Sequence, residues 1–110
     1  MSVPRKPLRI EDHAALELRA AVEDYEARAP GLGARFLVAI ETTLGHIATF
    51  PHTGAAVPRV AHKTVRCFPV RKFPFHVVFM DTEGAVWVLA FAHDRRRPNY
   101  WRRRISTDLR

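Results

Sequence analysis

The sequence predicts an α+β fold in which a helical hairpin packs on a small antiparallel sheet, in the order β-α-α-β-β-β. The first half carries two apolar stripes with helical spacing, separated by a Pro-Gly break, and the second half contains extended apolar runs joined by a turn. Apolar residues make up 47% of the 110 residues, a balance typical of a folded chain, and this length suits one core. We therefore treat 1–110 as a single domain.

The first two predicted elements are a short edge strand and a helix. Leu8–Ile10 fits an edge strand that Pro4 and Pro7 keep short, because proline cannot donate to a ladder. Asp12 is the expected N-cap of the helix that follows. An apolar stripe at spacings of three and four is formed by Ala15, Leu18, Val22, Tyr25 and Ala29. The side expected to face solvent carries Glu17, Arg19, Glu23 and Glu26.

A second helix is predicted over residues 32–50. Pro30 and Gly31 break the first helix, because proline disfavours helical geometry in the preceding residue and glycine permits a reversal. Pro51 ends the second helix. Its apolar face consists of Phe36, Ile40, Leu44 and Ile47. Two such stripes joined by a tight turn need a sheet to pack against.

The second half of the chain predicts that sheet. Residues 52–62 read as a loop, 64–70 as extended, and 75–80 and 85–93 as antiparallel strands joined by a turn at 81–84. In the last strand, a period of two places Trp87, Leu89, Phe91 and His93 on one face and Val86, Val88, Ala90 and Ala92 on the other. Both faces are apolar, so one packs on the helices and the other is covered by the C-terminus or a partner.

The charge of the chain is unevenly distributed. Of the net charge of +7, residues 1–30 contribute almost nothing, with five Lys/Arg against six Asp/Glu. Residues 59–76 hold five Lys/Arg and no acid, and residues 93–110 hold seven Arg against two Asp. These two segments indicate a surface that attracts phosphates, an acidic protein or both.

The N-terminal segment, the length of the apolar runs and the cysteine and histidine content indicate the compartment and the redox and metal chemistry of the protein. The N-terminus has basic residues but no apolar stretch suited to a signal peptide, and no segment approaches membrane-spanning length, so we expect a cytoplasmic protein that does not bind a membrane. Cys67 is the only cysteine and is expected to behave as a small, buried or half-buried hydrophobe. The six histidines show no ligand spacing for zinc, and no cofactor is expected.

The stretch HDRRRPNYW, residues 93–101, could carry chemistry. A metal-independent phosphodiester site uses a base, an acid and guanidinium groups for the phosphorane charge. The candidate residues for such a site are Arg66, His93, Arg95 and Tyr100, with His93 or Tyr100 moving protons and the arginines binding phosphate. The competing interpretation is structural: His93 ends a strand, the arginines form a solvated face, and Tyr100 with Trp101 caps the core.

Four stretches together resemble the RelE/ParE superfamily of bacterial type II toxin-antitoxin toxins, over nearly the whole chain. They are IEDHAALELRAAVEDYE, PGLGARFLVAIETTLGHIATFPHTG, VRCFPVRKFPFHVVF and VWVLAFAHDRRRPNYWRRR. The resemblance implies the same helical hairpin on a sheet. It also implies a cognate antitoxin, acidic where it binds, that wraps and blocks the toxin through the basic charge and the apolar sheet face.

The superfamily divides by mechanism. The hairpin motif PGLG-x-RF and the FP-x-x-G ending are closer to ParE-like members, which poison DNA gyrase, and this is the favoured interpretation. The residues expected to bind the target are Arg71, Lys72, Arg96, Arg97, Arg102 and Arg103. The alternative is a RelE-like endonuclease that cuts messenger RNA on the ribosome with Arg66, His93, Arg95 and Tyr100. A third interpretation is a non-toxic basic nucleic-acid-binding module.

Overall fold

The computed structural model describes residues 6–57, 65–105 and 109. Within them the chain forms β1 (Leu8–Ile10), α1 (Asp12–Arg28), α2 (Leu32–Thr49), β2 (Ala55–Ala56), β3 (Val65–Pro69), β4 (Phe75–Asp81), β5 (Val86–His93) and a 3-10 helix (Arg102–Arg104). The predicted α+β fold, with a helical hairpin on one sheet, is confirmed. No helix of the described residues is long and apolar enough to cross a membrane.

The sheet is mixed, with the strand order β1-β5-β4-β3-β2. β3, β4 and β5 pair antiparallel as predicted, and the edge strand β1 joins them parallel to β5. A tight hairpin forces its two strands to run antiparallel. The connection from β1 to β5 instead passes through two helices and three strands, and a crossover of that length permits parallel pairing.

A two-residue strand lies inside the segment predicted as a loop at 52–62. Ala55 pairs with Cys67 and Ala56 pairs with Arg66 at the outer edge of the sheet. Two residues are too few to give a periodicity, so the sequence did not indicate this strand. Gly54 makes the approach possible: its φ is +86°, and an added Cβ would lie 2.4 Å from the Cys67 carbonyl oxygen. The rest of the predicted loop, residues 58–62, lies outside the described residues.

In α1 the N-cap and one alanine of the inner face each lie one residue before the predicted position. Glu11, not Asp12, is the N-cap, and its carboxylate accepts a 2.5 Å hydrogen bond from the His13 backbone N–H. Ala14 and Ala21 are buried, whereas Ala15 is exposed. Alanines occupy several successive positions of this helix, and so the apolar periodicity alone did not fix which of them face the core.

The turn between the helices is closed by Glu26, which was predicted to face solvent only. Its carboxylate accepts hydrogen bonds from the backbone N–H groups of Gly31 and Gly33, at 3.0–3.1 Å. Gly31, the N-cap of α2, has no side chain to do this. Gly33 lets the helices approach closely, because an added Cβ would lie 2.7 Å from the Val22 carbonyl oxygen.

A β-bulge in β5 reverses the predicted faces of that strand. Val78 pairs with Ala90 and Phe79 pairs with Val88, which leaves Leu89 without a partner in β4. The period of two therefore restarts after Leu89. The side chains that face the helices are Val86, Val88 and Phe91, and those on the opposite face include Leu89, Ala90 and Ala92. The predicted grouping of Leu89 with Phe91 and of Val88 with Ala90 is wrong for this reason.

The C-terminal segment covers the sheet face opposite the helices. Trp101 is 3% exposed and packs in one cluster with Val78, Met80 and Leu89. Tyr100, Ile105 and Leu109 pack at the margin of this cluster. Of the two predicted covers for the second apolar face, the chain's own C-terminus or a partner, the structure shows the C-terminus.

Candidate functional site

The register of the sheet brings the two basic segments to the same end. Phe75 at the start of β4 pairs with His93 at the end of β5, and the Asp94 N–H donates to the Pro74 carbonyl at 2.9 Å. The turn before β4 therefore lies beside the segment after β5. Exposed cations from both segments form what we call the basic surface: Arg71, Lys72, Arg95, Arg96 and Arg97, with Arg102 and Arg103 further along the C-terminal segment.

Backbone hydrogen bonds shape the segment after β5. The Arg96 N–H donates to the His93 carbonyl at 2.9 Å, and the Arg95 N–H donates to His93 Nδ1 at 3.1 Å. Asn99 adopts a φ of +62°, a left-handed conformation that asparagine tolerates. The Arg96 guanidinium stacks on the Tyr100 ring, 3.9 Å from its centroid. The arginines are therefore carried on a defined turn.

A buried polar cluster anchors this segment to α1. The Tyr100 hydroxyl donates to Glu17 Oε2, and Arg104 donates to both Glu17 oxygens, at 2.6 and 3.2 Å. The side chains of Glu17 and Arg104 are only 17% and 15% exposed. We call Glu17, Tyr100 and Arg104 the anchor cluster. A bidentate guanidinium-carboxylate pair of this kind fixes geometry as well as contributing energy.

The anchor cluster also completes the edge of β5. β1 pairs with β5 only as far as Val88, so within the described part of the chain the following residues have no neighbouring strand on that side. Glu17 accepts from the Phe91 N–H at 3.2 Å, and Arg104 donates to the Leu89 carbonyl at 3.0 Å. Side chains therefore satisfy backbone groups that the short β1 and the bulge leave unpaired.

The cluster shifts the pKa values of its members. Burial raises the pKa of the Tyr100 phenol well above its ordinary value, and the hydrogen bond to Glu17 and the charge of Glu17 add to that effect. Burial alone would lower the pKa of Arg104, but the hydrogen bond and charge of Glu17, with Tyr100 and Glu11, outweigh it and raise the pKa. Tyr100 is therefore a neutral hydrogen-bond donor, and Arg104 is a cation at every physiological pH.

Of the residues predicted for a ribonuclease, His93 and Arg95 are neighbours, joined by the hydrogen bond from the Arg95 N–H, but Arg66 is not brought to them. Arg66 pairs with Phe79 and His93 pairs with Phe75, four residues apart on β4, which corresponds to about 13 Å along the strand. Arg66 donates instead to the Gly54 carbonyl at 3.3 Å. The His93 ring packs on Phe75, with 5.1 Å between ring centroids. Tyr100 is engaged with Glu17, and Arg95 is exposed.

Glu17 is the residue that sequence reasoning missed. It was assigned to the solvated face of α1, yet it receives hydrogen bonds from β5 and from the C-terminal segment. A signal existed in the helix: Glu17 lies three residues after Ala14 and four before Ala21, the two buried alanines. Once the inner face passes through Ala14, Glu17 belongs to it.

A groove of about 350 Å³ lies between the C-terminal segment and the sheet face that carries Val78 and Ala92. At its margin His76 Nδ1 lies 3.0 Å from Asp94 Oδ1. Cys67 also lines the groove and is half-buried, and burial raises the pKa of its thiol, which makes it a poor nucleophile. Among the described residues no group of three or more His, Cys, Asp or Glu side chains is placed to bind a metal ion.

Comparison with known proteins agrees with this architecture. One solved structure, described as the chromosomal ParDE TA system from P. aeruginosa, is similar with a TM-score of 0.68 and 19% sequence identity, and the match covers 81% of this chain and 96% of that chain. A search of curated proteins finds no significant match. The model of the family described as ParE toxin of type II toxin-antitoxin system, parDE, matches residues 8–98. The chain therefore belongs to the ParE toxin family of type II toxin-antitoxin systems.

Proposed function

We propose that this ParE-type toxin acts in the cytoplasm by binding DNA gyrase and trapping cleaved DNA, and that a cognate antitoxin neutralises it. The observation that carries the proposal is the basic surface itself. Cations from two distant segments, the turn before β4 and the segment after β5, meet at one end of the sheet. A concentrated field of one sign increases the encounter rate with an anionic target such as a gyrase-DNA complex.

The anchor cluster supports a binding role for this surface. Arg104 and Tyr100 tie the C-terminal segment to Glu17 of α1, and so the arginines are presented on a held backbone rather than on a free tail. A surface ordered before it binds loses less conformational entropy on binding. The arginines thus suit recognition of a specific target better than loose attraction to any polyanion.

A metal-independent ribonuclease is less well supported by the geometry. The phenol of Tyr100 donates a hydrogen bond to Glu17, and its raised pKa leaves no tyrosinate at neutral pH to act as a base. Arg66 lies far along the sheet from His93. Glu17, the carboxylate that accepts a hydrogen bond from Tyr100, is paired with Arg104. A non-toxic nucleic-acid-binding module would share the basic surface and differ in leaving bacterial growth unaffected.

The test uses purified toxin, gyrase and plasmid DNA. We expect cleaved plasmid to accumulate with the wild-type chain and much less to accumulate with Arg97→Glu/Arg103→Glu, which reverses two charges of the basic surface. Arg9→Glu/Arg19→Glu is the matched control, because both arginines are exposed and lie outside that surface. Gyrase that is unaffected by saturating wild-type toxin would exclude the proposal.

A further variant and the response of bacteria to induction separate the alternatives. If the protein is a ribonuclease, His93→Ala/Tyr100→Phe should abolish growth arrest. In cells that express the wild type, ribosome-bound messenger RNA should be cut before growth stops. A gyrase poison predicts a DNA-damage response after induction, with messenger RNA left intact. A nucleic-acid-binding module predicts neither response, and its DNA affinity should fall steeply with added salt.

A further inference from the structure

The turn after β5 takes two of its hydrogen-bond acceptors from one residue, His93. The His93 carbonyl accepts from the Arg96 N–H at 2.9 Å, and the ring nitrogen Nδ1 accepts from the Arg95 N–H at 3.1 Å. The Asp94 N–H, between them, donates to the Pro74 carbonyl at 2.9 Å. We call residues 93–97 the arginine turn. The conformation of this turn therefore depends on a side chain as well as on the backbone.

The core fixes the position of the His93 ring. The ring packs edge-on against Phe75, with 5.1 Å between the ring centroids and 77° between the ring planes. Phe75 in turn packs on the fully buried Phe36, with 5.0 Å between the ring centroids. His93 itself is half-buried at the end of β5. Nδ1 is therefore held at the start of the arginine turn before any target is bound.

The hydrogen bond from the Arg95 N–H also fixes which nitrogen of the His93 ring carries the proton. A backbone N–H only donates, so Nδ1 is the acceptor and carries no hydrogen. In the neutral imidazole the proton is then on Nε2. A general base needs a lone pair that is free to take a proton, and the lone pair of Nδ1 is already in use. The ring is arranged as a fixed acceptor and not as a base.

We infer that His93 is a positioning residue, which acts on the target through Arg95 by holding the Arg95 backbone with Nδ1. Arg95 is exposed, and its backbone sets the direction in which its side chain leaves the sheet. Arg96 has an additional attachment, because its guanidinium stacks on the Tyr100 ring, 3.9 Å from the centroid. The inference rests on the proposed function, in that the target is the gyrase-DNA complex. It gives His93 a role that is neither proton transfer nor packing alone.

Two substitutions separate the acceptor of His93 from its ring. The Oδ1 of asparagine is the same number of bonds from Cβ as the Nδ1 of histidine, and asparagine side chains accept from the backbone N–H two residues further on. His93→Asn therefore keeps the acceptor and loses the ring. His93→Phe keeps a ring against Phe75 and loses the acceptor. The same two changes at the exposed His52, after α2, are the matched controls.

The experiment measures the concentration of toxin at which purified gyrase accumulates cleaved plasmid, and the exchange rate of the Arg95 amide proton by NMR. All variants are compared at a temperature where circular dichroism shows them folded. We expect His93→Phe to require about fivefold more toxin and to exchange this proton about fivefold faster, the factor that corresponds to one hydrogen bond. His93→Asn and both His52 variants should behave like the wild type.

A double-mutant cycle tests whether His93 acts through Arg95. Arg95→Ala alone should weaken gyrase inhibition, because it removes a cation of the basic surface. In that background His93→Phe should cause no further loss, since the side chain that His93 positions is absent. A residue that only stabilises the fold would cause the same loss with and without Arg95.

The outcomes separate this inference from the proposed function. If His93→Phe leaves plasmid cleavage or Arg95 amide exchange unchanged, or causes the same loss in both backgrounds, the inference is wrong and the proposed function stands. If His93→Asn is as inactive as His93→Phe, the imidazole itself is required, and the inference is also wrong. Gyrase that is unaffected by saturating wild-type toxin overturns the proposed function and, with it, the role of His93.

Discussion

The two faces of the sheet are held by different chemistry. On the helix face, Phe36 is fully buried and its ring lies 5.0 Å from both Phe73 and Phe75, so apolar packing holds α2 on the sheet. On the other face, Trp101 is buried with Tyr100, Ile105 and Leu109 at the margin of its cluster, and the Glu17-Arg104 pair holds the strand edge. Packing of many rings is insensitive to any one polar contact. The attachment of the C-terminal segment depends on a few polar contacts.

This difference separates folding from function. The helix face makes the protein fold, whereas the anchor cluster sets where the arginines of the C-terminal segment lie. Substitutions on the two sides should therefore have different consequences: on the helix face they reduce the free energy of unfolding of the whole domain, and in the anchor cluster they also disorganise the proposed target surface. Four substitutions test this, in order of decreasing expected effect.

The largest loss of stability is expected from Phe36→Ala on the helix face. Phe36 is 0% exposed and contacts the rings of Tyr25, Phe73 and Phe75. Removing a buried phenyl ring costs about 3–5 kcal/mol, because apolar burial is lost and a cavity remains. Denaturant unfolding followed by circular dichroism measures the change. A loss below about 1 kcal/mol would contradict the role of this ring in the core.

A loss of about 3 kcal/mol is expected from Glu17→Leu, because it removes the carboxylate that accepts two hydrogen bonds from the poorly solvated Arg104 guanidinium. The second variant, Glu17→Leu/Arg104→Leu, should recover part of that loss, since no lone charge is left behind. The helix content should stay unchanged while gyrase inhibition falls. The single variant Arg104→Leu completes the cycle: a loss in the double variant equal to the sum of the two single losses would show that the two residues are not coupled.

Phe36→Ala and Glu17→Leu should also differ in gyrase inhibition. Phe36→Ala should retain most of its gyrase inhibition at a temperature where it remains folded, because it leaves the arginines of the C-terminal segment in place and loosens only the turn of Arg71 and Lys72, through Phe73. Glu17→Leu should lose inhibition at the same temperature. If both variants inhibit gyrase in proportion to their folded fraction, the anchor cluster has no positioning role beyond stability.

A smaller loss, about 2 kcal/mol, is expected from Gly33→Ala at the crossing of the helices, as for overpacking elsewhere. The added Cβ would lie 2.7 Å from the Val22 carbonyl oxygen, which is backbone and cannot rotate away. Gly45→Ala is the control, because nothing lies within 4 Å of a Cβ at that position. Alanine there should be neutral or stabilising, since it favours helix more than glycine does.

The sequence predicted the elements that have strong periodicity and missed the features that depend on other parts of the chain. The helical hairpin and the β4-β5 hairpin follow from local patterns, and both were predicted. The bulge at Leu89 interrupts the period of two without any local marker such as glycine, so the faces of β5 were wrong beyond that point. A prediction of the faces needs the register with β4.

The candidate site was predictable in composition but not in arrangement. The basic residues were found by counting charges, and the structure places Arg71 and Arg95 at the same end of the sheet through the register of β4 and β5. Glu17 was not found, because its partners Tyr100 and Arg104 lie more than 80 positions away in the sequence. Whether a charged residue on a helix faces solvent can be predicted only when the elements that pack against the helix are known.

The smallest effect, about 1 kcal/mol, is expected from Tyr100→Phe, which removes one hydrogen bond to Glu17 and keeps the ring under Arg96. This effect should depend on pH. Because the pKa of Tyr100 is raised above its ordinary value of 10.0 in the folded chain, its contribution is fully present below pH 10 and is lost as the pH rises beyond that value.

The free energy of unfolding of the wild type should therefore fall above pH 10 more steeply than that of Tyr100→Phe. Tyr25→Phe is the matched control. Burial also raises the pKa of Tyr25, but the charge of Arg28 opposes the shift, so this substitution should change the steepness of the fall less than Tyr100→Phe does. Ultraviolet absorbance of tyrosinate during an alkaline titration reports each ionisation directly. If Tyr100 titrates at its ordinary pKa in the folded protein, its hydroxyl is not held by Glu17, and the C-terminal segment would then be attached to α1 by Arg104 alone.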